Sequence, residues 1–260
     1  MSVLVTTTRE GNEELIEKAI KISKDLDIQF IERENYSLEK IMDKNNIENL
    51  LVVEKDRLVL KGKENEFFWH PNMAELKIQS IKSGNKESIM EASKVEEGYW
   101  VLDCTLGLAG DAIIFSALVG DNGRVVGTEI NKYIAYLTND GLKNYNKVNE
   151  ETKRAMENIE VVNTSYRDYL MKQDDNSFDI VYFDPMFKKA NKKSTSINSF
   201  RDFADHNGLT KDIIKEAIRV CKKRVVIKER QGNNDFEELG IEKVYGSKKS
   251  GAIIYGVIEK

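Results

Sequence analysis

Asp103-Cys104-Thr105-Leu106-Gly107-Leu108-Ala109-Gly110-Asp111 joins the apolar run Tyr99-Trp100-Val101-Leu102 to a second apolar run over residues 112–119. The first run is short and built from aromatic and branched residues, which predicts a buried strand, and the second predicts a helix. The glycines between them lack a Cβ, so this turn can bend sharply and bring its backbone close to a ligand. Further on, Phe178-Asp179-Ile180-Val181-Tyr182-Phe183 predicts another buried strand, and it ends in Asp184-Pro185-Met186-Phe187. Around these two strand ends the chain alternates. Residues 99–102, 124–129, 159–163, 177–183 and 224–228 read as strands, and residues 111–119, 132–146 and 210–221 as helices. Such alternation implies a parallel sheet covered by helices on both faces. The end differs: residues 241–245 and 252–259 are strands joined by Gly246-Ser247-Lys248-Lys249-Ser250-Gly251. That linker is too short for a crossover helix, so the two strands must pair antiparallel.

The preceding third of the chain carries its own signals. Residues 3–8 read as a strand, and Asn12 caps a helix running to Leu26 with Leu15, Ile16, Ala19, Ile20 and Ile22 on one stripe. Residues 29–32 read as a short strand, and Ser37 opens a second helix with Lys40 and Ile41 in its first turns. Residues 49–54 and 57–61 form a strand pair across Lys55-Asp56. The expected division is a small N-terminal α/β subdomain over residues 1–66 and a main domain over residues 99–260. Between them, residues 67–98 form a helical linker packed on the main domain.

Composition narrows the classes. With 260 residues, 40% hydrophobic and 32% charged, the chain suits an ordinary soluble globule. No stretch approaches the ~20 apolar residues that span a membrane, and the N-terminus shows no secretory signal, so no membrane association is expected. Two cysteines, Cys104 and Cys221, and two histidines argue against a disulfide framework or a metal site and imply a reducing, cytoplasmic setting. The net charge of −4 neither announces nor forbids a nucleic-acid partner, because phosphate attraction depends on where cations lie.

The chemistry divides between the two strand ends. Glu129 closes the strand after Gly107 and Gly110, where an acid can accept both hydroxyls of a ribose. Asp103 and Asp111 would flank the other end of the same ligand. Nicotinamide cofactors and S-adenosylmethionine share this ribose logic, so the cofactor half alone leaves both open. The acceptor half separates them. The exocyclic amine of a base is a poor nucleophile because its lone pair is delocalised into the ring. The Asp184 carboxylate and the Pro185 carbonyl can accept its two N–H protons and favour a tetrahedral nitrogen, while Phe187 stacks on the base. Proline adds a fixed φ and no competing donor. The predicted activity is therefore methyl transfer from S-adenosylmethionine to a base nitrogen, on a flipped or single-stranded nucleotide. A nicotinamide oxidoreductase would need a general acid near the strand ends, and neither His70 nor His206 stands in such a setting. Beyond Phe187, the cations Lys188, Lys189, Lys192, Lys193 and Arg201 read as a basic loop for RNA phosphates. Lys222-Lys223-Arg224, Lys228 with Arg230, and Lys248-Lys249 are expected to extend that face.

Residues 103–112, Asp184-Pro185-Met186-Phe187 and Lys223-Arg224-Val225-Val226-Ile227-Lys228 resemble the ribosomal RNA small-subunit methyltransferase J family over roughly residues 68–260. The resemblance implies a Rossmann-like class I methyltransferase sheet, S-adenosylmethionine as cofactor, and 16S rRNA or the small ribosomal subunit as partner. The expected product is a guanine methylated at N2. It also implies that Gly110, Asp111, Glu129, Ile130, Ser165, Tyr166 and Asp184 line the cofactor. Two positions depart from the family: Lys188 stands where proline is common, and Gly110 where a basic or polar residue is usual. The alternatives are N6-adenine or another base nitrogen of RNA or DNA and, from a different class, an RNA-binding module that transfers nothing.

Overall fold

The glycine-bearing turn lies at the centre of a seven-stranded sheet in the computed structural model, which describes residues 3–9, 11–71, 73–185, 208–232 and 235–260. Strands β5 (Trp100–Asp103), β6 (Arg124–Glu129), β7 (Ile159–Asn163), β8 (Phe178–Phe183) and β9 (Cys221–Arg230) run parallel; β11 (Ile253–Glu259) pairs antiparallel with β9, and β10 (Lys243–Gly246) antiparallel with β11 at the edge. The order is β10-β11-β9-β8-β5-β6-β7. The expected fold class is therefore observed, including the terminal hairpin. From β5 the chain winds outward through β6 and β7, and then returns to the other side of β5 to lay down β8 and β9. The strand order thus reverses between β5 and β8. In an open α/β sheet a crevice forms at the carboxyl ends of two such strands, and ligands bind there.

Burial explains the strand composition. β8 is buried at all six positions, as befits a central parallel strand covered on both sides. Leu102, Val126, Val181, Phe183, Val225 and Ile227 share one cluster with α8 (Tyr166–Met171) and α9 (Lys211–Val220). The alternate residues Val101, Val125, Ile180, Tyr182 and Val226 are equally buried, and Phe115 of α5 (Gly110–Val119) meets the Tyr182 ring edge-on at 5.0 Å. Helix α5 also packs against α3 (Ala74–Lys82) and α7 (Glu150–Glu157), which accounts for its nearly all-apolar sequence. Helix α4 (Ser88–Ser93) lies against β9, β10 and β11, and α6 (Lys132–Asn144) against β6 and β7. The short α10 (Asp235–Leu239) precedes the hairpin.

The described residues from Pro71 onward belong to this unit, and the described residues up to His70 form a second compact unit. In the second unit β1 (Val3–Thr7) pairs parallel with β2 (Asn49–Val53), and β3 (Leu58–Gly62) and β4 (Glu66–Phe68) follow antiparallel. Leu50 and Val52 pack with Ile41 and Met42 of α2 (Leu38–Asn45). Leu51 and Val53 face the opposite side, and α1 (Glu13–Leu26) packs on β1 and β2. The caps read from the sequence are present: Asn12 accepts from the Leu15 amide at 3.0 Å and Ser37 from the Lys40 amide at 3.1 Å.

Several elements differ from expectation. The predicted strand at residues 29–32 is reduced to one bridge, Phe30 with Val5, held by hydrogen bonds from Val5 N to Gln29 O and from Ile31 N to Val5 O. Helices α7, α8 and α10 and strand β4 were not anticipated. The charged sequence of α7 buries only Thr152, Ala155 and Met156, so its apolar stripe is too narrow to stand out, although Asn149 caps it.

Candidate active site

Polar groups along β6 and α6 determine the shape of the turn after β5. Leu106 N donates to Thr128 O at 3.0 Å, the Thr128 hydroxyl to Cys104 O at 2.9 Å, and the Thr138 hydroxyl to Gly107 O at 2.7 Å. Gly107 has φ 51°, a left-handed conformation that costs glycine nothing, and Ala109 adopts φ 62° in spite of its Cβ. Gly127 on β6 makes room for the turn: a Cβ there would lie 2.3 Å from Leu106 Cδ1. Glu129 completes the frame. Its Oε2 accepts from Gly107 N at 3.2 Å and its Oε1 from Asn131 N at 2.8 Å. Burial raises the Glu129 pKa, against the pull of the amides that donate to it.

At the β8 end, Asp184 N donates to the Thr105 hydroxyl, which ties the end of β8 to the turn. One ammonium then joins the two halves. Lys228 Nζ donates to Asp184 Oδ2 at 2.8 Å and to Asp111 Oδ2 at 2.6 Å. The Tyr182 hydroxyl donates to the same Asp111 oxygen at 2.6 Å, and Lys77 Nζ of α3 stands 3.8 Å from Asp111 Oδ1. Burial pushes the Asp111 pKa upward, but Lys228, and then Lys77, outweigh it and hold the carboxyl below its usual range. Desolvation and the neighbouring Asp111 raise Asp184 in spite of Lys228. Lys228 itself is kept firmly protonated: its two carboxylates overcome the burial that would discharge it.

Asp103 lies beneath this group, fully buried, with Oδ1 accepting from Thr105 N at 3.0 Å. Burial, assisted by Asp111 and Asp184, pushes its pKa to about 8. In the unfolded chain the group titrates near ~4. Between those values the folded state holds a proton that the unfolded state has lost, so stability falls as pH rises through that window. We expect the thermal midpoint of the cofactor-free protein to decline from pH 5 to pH 8.5, with on the order of 2–5 kcal/mol due to Asp103. Asp103→Asn keeps the acceptor for Thr105 N and should flatten that decline. An unchanged slope in the variant, read by calorimetry, would remove Asp103 as its source.

The predicted site residues fall into place unevenly. Asp103, Gly107, Gly110, Asp111, Glu129 and Asp184 gather at the carboxyl ends of β5, β6 and β8. Ile130 follows Glu129 with 48% of its surface exposed. Ser165 caps α8 and accepts from Arg167 N at 3.1 Å. The Tyr166 ring is buried edge-on against Phe183 at 5.7 Å, so its backbone rather than its ring is available to a ligand. Pro185 follows directly on Asp184, whereas Phe187, Lys188, Lys189, Lys192, Lys193 and Arg201 lie outside the described residues. The expected basic face is corrected in two places. Lys222 and Lys223 begin β9, at the end of the sheet remote from Asp184, where they lie near the rings of Trp100 and Tyr99. Lys228 is not a surface cation, since its side chain is 15% exposed and it pairs with two acids. Lys248 and Lys249 do lie on the site's side, in the exposed turn beside the carboxyl end of β9. Sequence reasoning missed Tyr182, Thr105 and Lys77 as members of the cluster. It had one available signal for Lys228: a cation directly after the buried run Val225-Val226-Ile227.

A parallel sheet closed by an antiparallel hairpin, with a glycine turn, a strand-end acid and Asp-Pro meeting at the order reversal, defines a Rossmann-like methyltransferase. Residues 33–256 match the family model described as "Putative SAM-dependent methyltransferase", and the chain belongs to that family. It is 37% identical to "Uncharacterized protein YpiP" of Bacillus subtilis, over 98% of this chain and 99% of that one. It is also 29% identical to ribosomal RNA small subunit methyltransferase J of Francisella philomiragia, over 72% and 78% of the two chains. With the Coxiella burnetii protein of the same name it shares 30% identity, over 60% of this chain and 59% of the relative. The crystal structure of the SAM-dependent methyltransferase NGO1261 from Neisseria gonorrhoeae superposes with a TM-score of 0.66 at 17% identity, covering 98% and 95% of the chains, and shows the same fold.

The protein is thus an S-adenosylmethionine-dependent methyltransferase, and its residues suit that cofactor. Helix α5 has no side-chain cap at Ala109, so its first amides are available to a carboxylate. Among the described residues, and apart from its chain neighbours and its own helix backbone, no heavy atom lies within 4 Å of a Cβ built on Gly110. Glu129 accepts from backbone amides on both oxygens and, with two lone pairs on each, retains capacity for hydroxyls. The exposed Ile130 offers an apolar surface for an aromatic ring.

Proposed function

We propose that this methyltransferase modifies an exocyclic base nitrogen, N2 of a guanine in small-subunit (16S) rRNA. The observation that carries the reading is Asp184: a carboxylate at the carboxyl end of β8, 31% exposed, hydrogen-bonded to Lys228 and joined to the cofactor turn through Thr105. The names of the Francisella and Coxiella relatives support the choice of rRNA. In this reading residues 99–260 are the catalytic domain, residues 67–98 a linker packed on it, and residues 1–66 a separate subdomain. Glu129 takes the ribose hydroxyls, Gly107 and Gly110 admit the cofactor, and Ile130 with the Ser165 and Tyr166 backbone borders its adenine. Asp103 and Asp111 stand on the methionine side.

The bound cofactor supplies an activated methyl group on a sulfonium, so the protein needs no covalent nucleophile. Asp184 accepts one N–H of the amine and Pro185 O the other, which draws the lone pair out of the ring. Phe187 stacks on the base. Asp184 then faces the positive charge left on the nitrogen and takes its proton. Positioning and fixed electrostatics account for the acceleration. A base inside a duplex cannot reach such a site, so the nucleotide is flipped or single-stranded.

The test is transfer of a tritiated methyl group to 16S rRNA and to 30S subunits from a strain lacking the gene. Nucleoside mass spectrometry of the product should show N2-methylguanine. N6-methyladenine would retain the chemistry and replace the substrate, and no incorporation into either RNA would remove the rRNA assignment. The basic segment carries a separate expectation. Replacing Lys188, Lys189, Lys192 and Lys193 with glutamine should lower RNA affinity and reduce the slope of log K against log salt by about 2 or more. A slope equal to the wild type would return those lysines to plain solvated surface.

A further inference from the structure

The ammonium of Lys228 touches both halves of the site, and the reaction as described above gives it no role. It rises from the end of a buried strand and meets Asp111 in the first turn of α5, on the cofactor side, and Asp184 at the end of β8, on the acceptor side. A lysine ammonium has three protons to donate, and two are spent on Oδ2 atoms from two different elements. Among the described residues, the groups around it come from several neighbouring elements. Tyr182 lies on β8 and donates to Asp111, Tyr255 pairs in register with Lys228 on β11, Lys77 reaches in from α3, and Asp103 sits at the end of β5. Each of the two acids would disfavour ionisation of the other if the cation were absent, since like charges in one site repel.

We propose that Lys228 is the positioning residue for methyl transfer: by donating to Asp111 and Asp184 together, it aims the acceptor carboxylate and keeps it an acceptor. The inference rests on the reading of Asp184 given above. An Asp184 that had taken up a proton would be unable to receive one from the amine, and an untethered one would rotate away from it. Binding Oδ2 leaves Oδ1 as the oxygen to face the substrate. Because the same nitrogen holds Asp111, the acceptor carboxylate is set in register with the helix that begins the cofactor turn.

The experiment compares kcat and KM across pH 5.5–9.5 for the wild type, Lys228→Met, Lys228→Arg and Asp184→Asn, with 16S rRNA as substrate. Methionine preserves the length of the stem and removes the charge. We expect Lys228→Met to lower kcat about 30-fold at pH 7 with little change in the KM for RNA, and to move the acidic limb up by at least about one pH unit. Part of the activity then returns at alkaline pH, because a higher pKa requires a higher pH to ionise the same carboxyl. Lys228→Arg should restore the limb to within a few tenths of a unit, because it restores the charge. A purely structural role would lower activity equally at every pH. If Asp184→Asn is inactive and Lys228→Met keeps the wild-type limb, the positioning role is wrong and the acceptor site stands. If Asp184→Asn turns over normally, both fail. Should Lys228→Met not fold, NMR of the wild type decides the matter. The Asp184 Cγ and Lys228 Nζ resonances must move at the same pH, and separate transitions would overturn the coupling.

Discussion

Asp184→Ala is expected to lower kcat/KM for methyl transfer about a thousand-fold, the scale set by loss of one preorganised electrostatic group in an active site. The cofactor Kd should stay within about five-fold, because the cofactor frame of Glu129, Gly107 and Thr128 is built without this side chain. The fold should also survive. Asp184 N still reaches the Thr105 hydroxyl, and Lys228 keeps Asp111 as its partner, so no buried cation is stranded. Removing one of two neighbouring acids even relieves repulsion with Asp111. Single-turnover rates with saturating cofactor, beside calorimetric binding of S-adenosylmethionine, make the comparison. A variant that transfers methyl groups at the wild-type rate would take Asp184 out of the chemistry and with it the proposed acceptor site.

Glu129→Ala should act on the other half and leave a different signature. The side chain accepts from Gly107 N and Asn131 N, and so holds the glycine turn against β6 before any ligand arrives. Hydrogen bonds to a charged group contribute about 1.5–3 kcal/mol each, so losing two ribose contacts should weaken cofactor binding by at least about 100-fold. The loss would appear in the KM and Kd for S-adenosylmethionine, with kcat at saturation falling far less, since these contacts are made equally in ground and transition states. Glu129→Gln keeps one acceptor oxygen but turns an NH2 toward the amides of the turn, and should fall between the two. Calorimetric affinity within three-fold of wild type for the alanine variant would remove Glu129 from the cofactor site.

Local pattern carried most of the architecture. The runs at residues 99–102 and 178–183 announced buried strands because a central parallel strand is covered on both faces and so reads as largely apolar sequence. The short linker of residues 246–251 dictated an antiparallel end, and Asn12 and Ser37 marked helix starts through side chains that satisfy orphan amides. The six-residue α8 and the polar α7 escaped, because both owe their form to packing rather than to a broad apolar stripe.

The site divides along the same line. Asp103, Glu129 and Asp184 were legible because each sits at a strand end, and Gly107 because it lies in the turn that follows one; both are local properties of sequence. What joins them was not. Whether the cation after Val225-Val226-Ile227 faces solvent or two carboxylates depends on β9 lying beside β8, on β11 covering its other edge with Tyr255, and on α3 delivering Lys77 to Asp111. Those neighbours are distant in the chain, and no periodicity encodes them. The sequence by itself determined the strands, the turns and the acids at their ends, because these follow from the residues' own conformational preferences and apolar spacing. Only the tertiary structure decided which charges meet, because an ion pair is formed by strand order and register, which fold the far parts of the chain to within hydrogen-bonding distance.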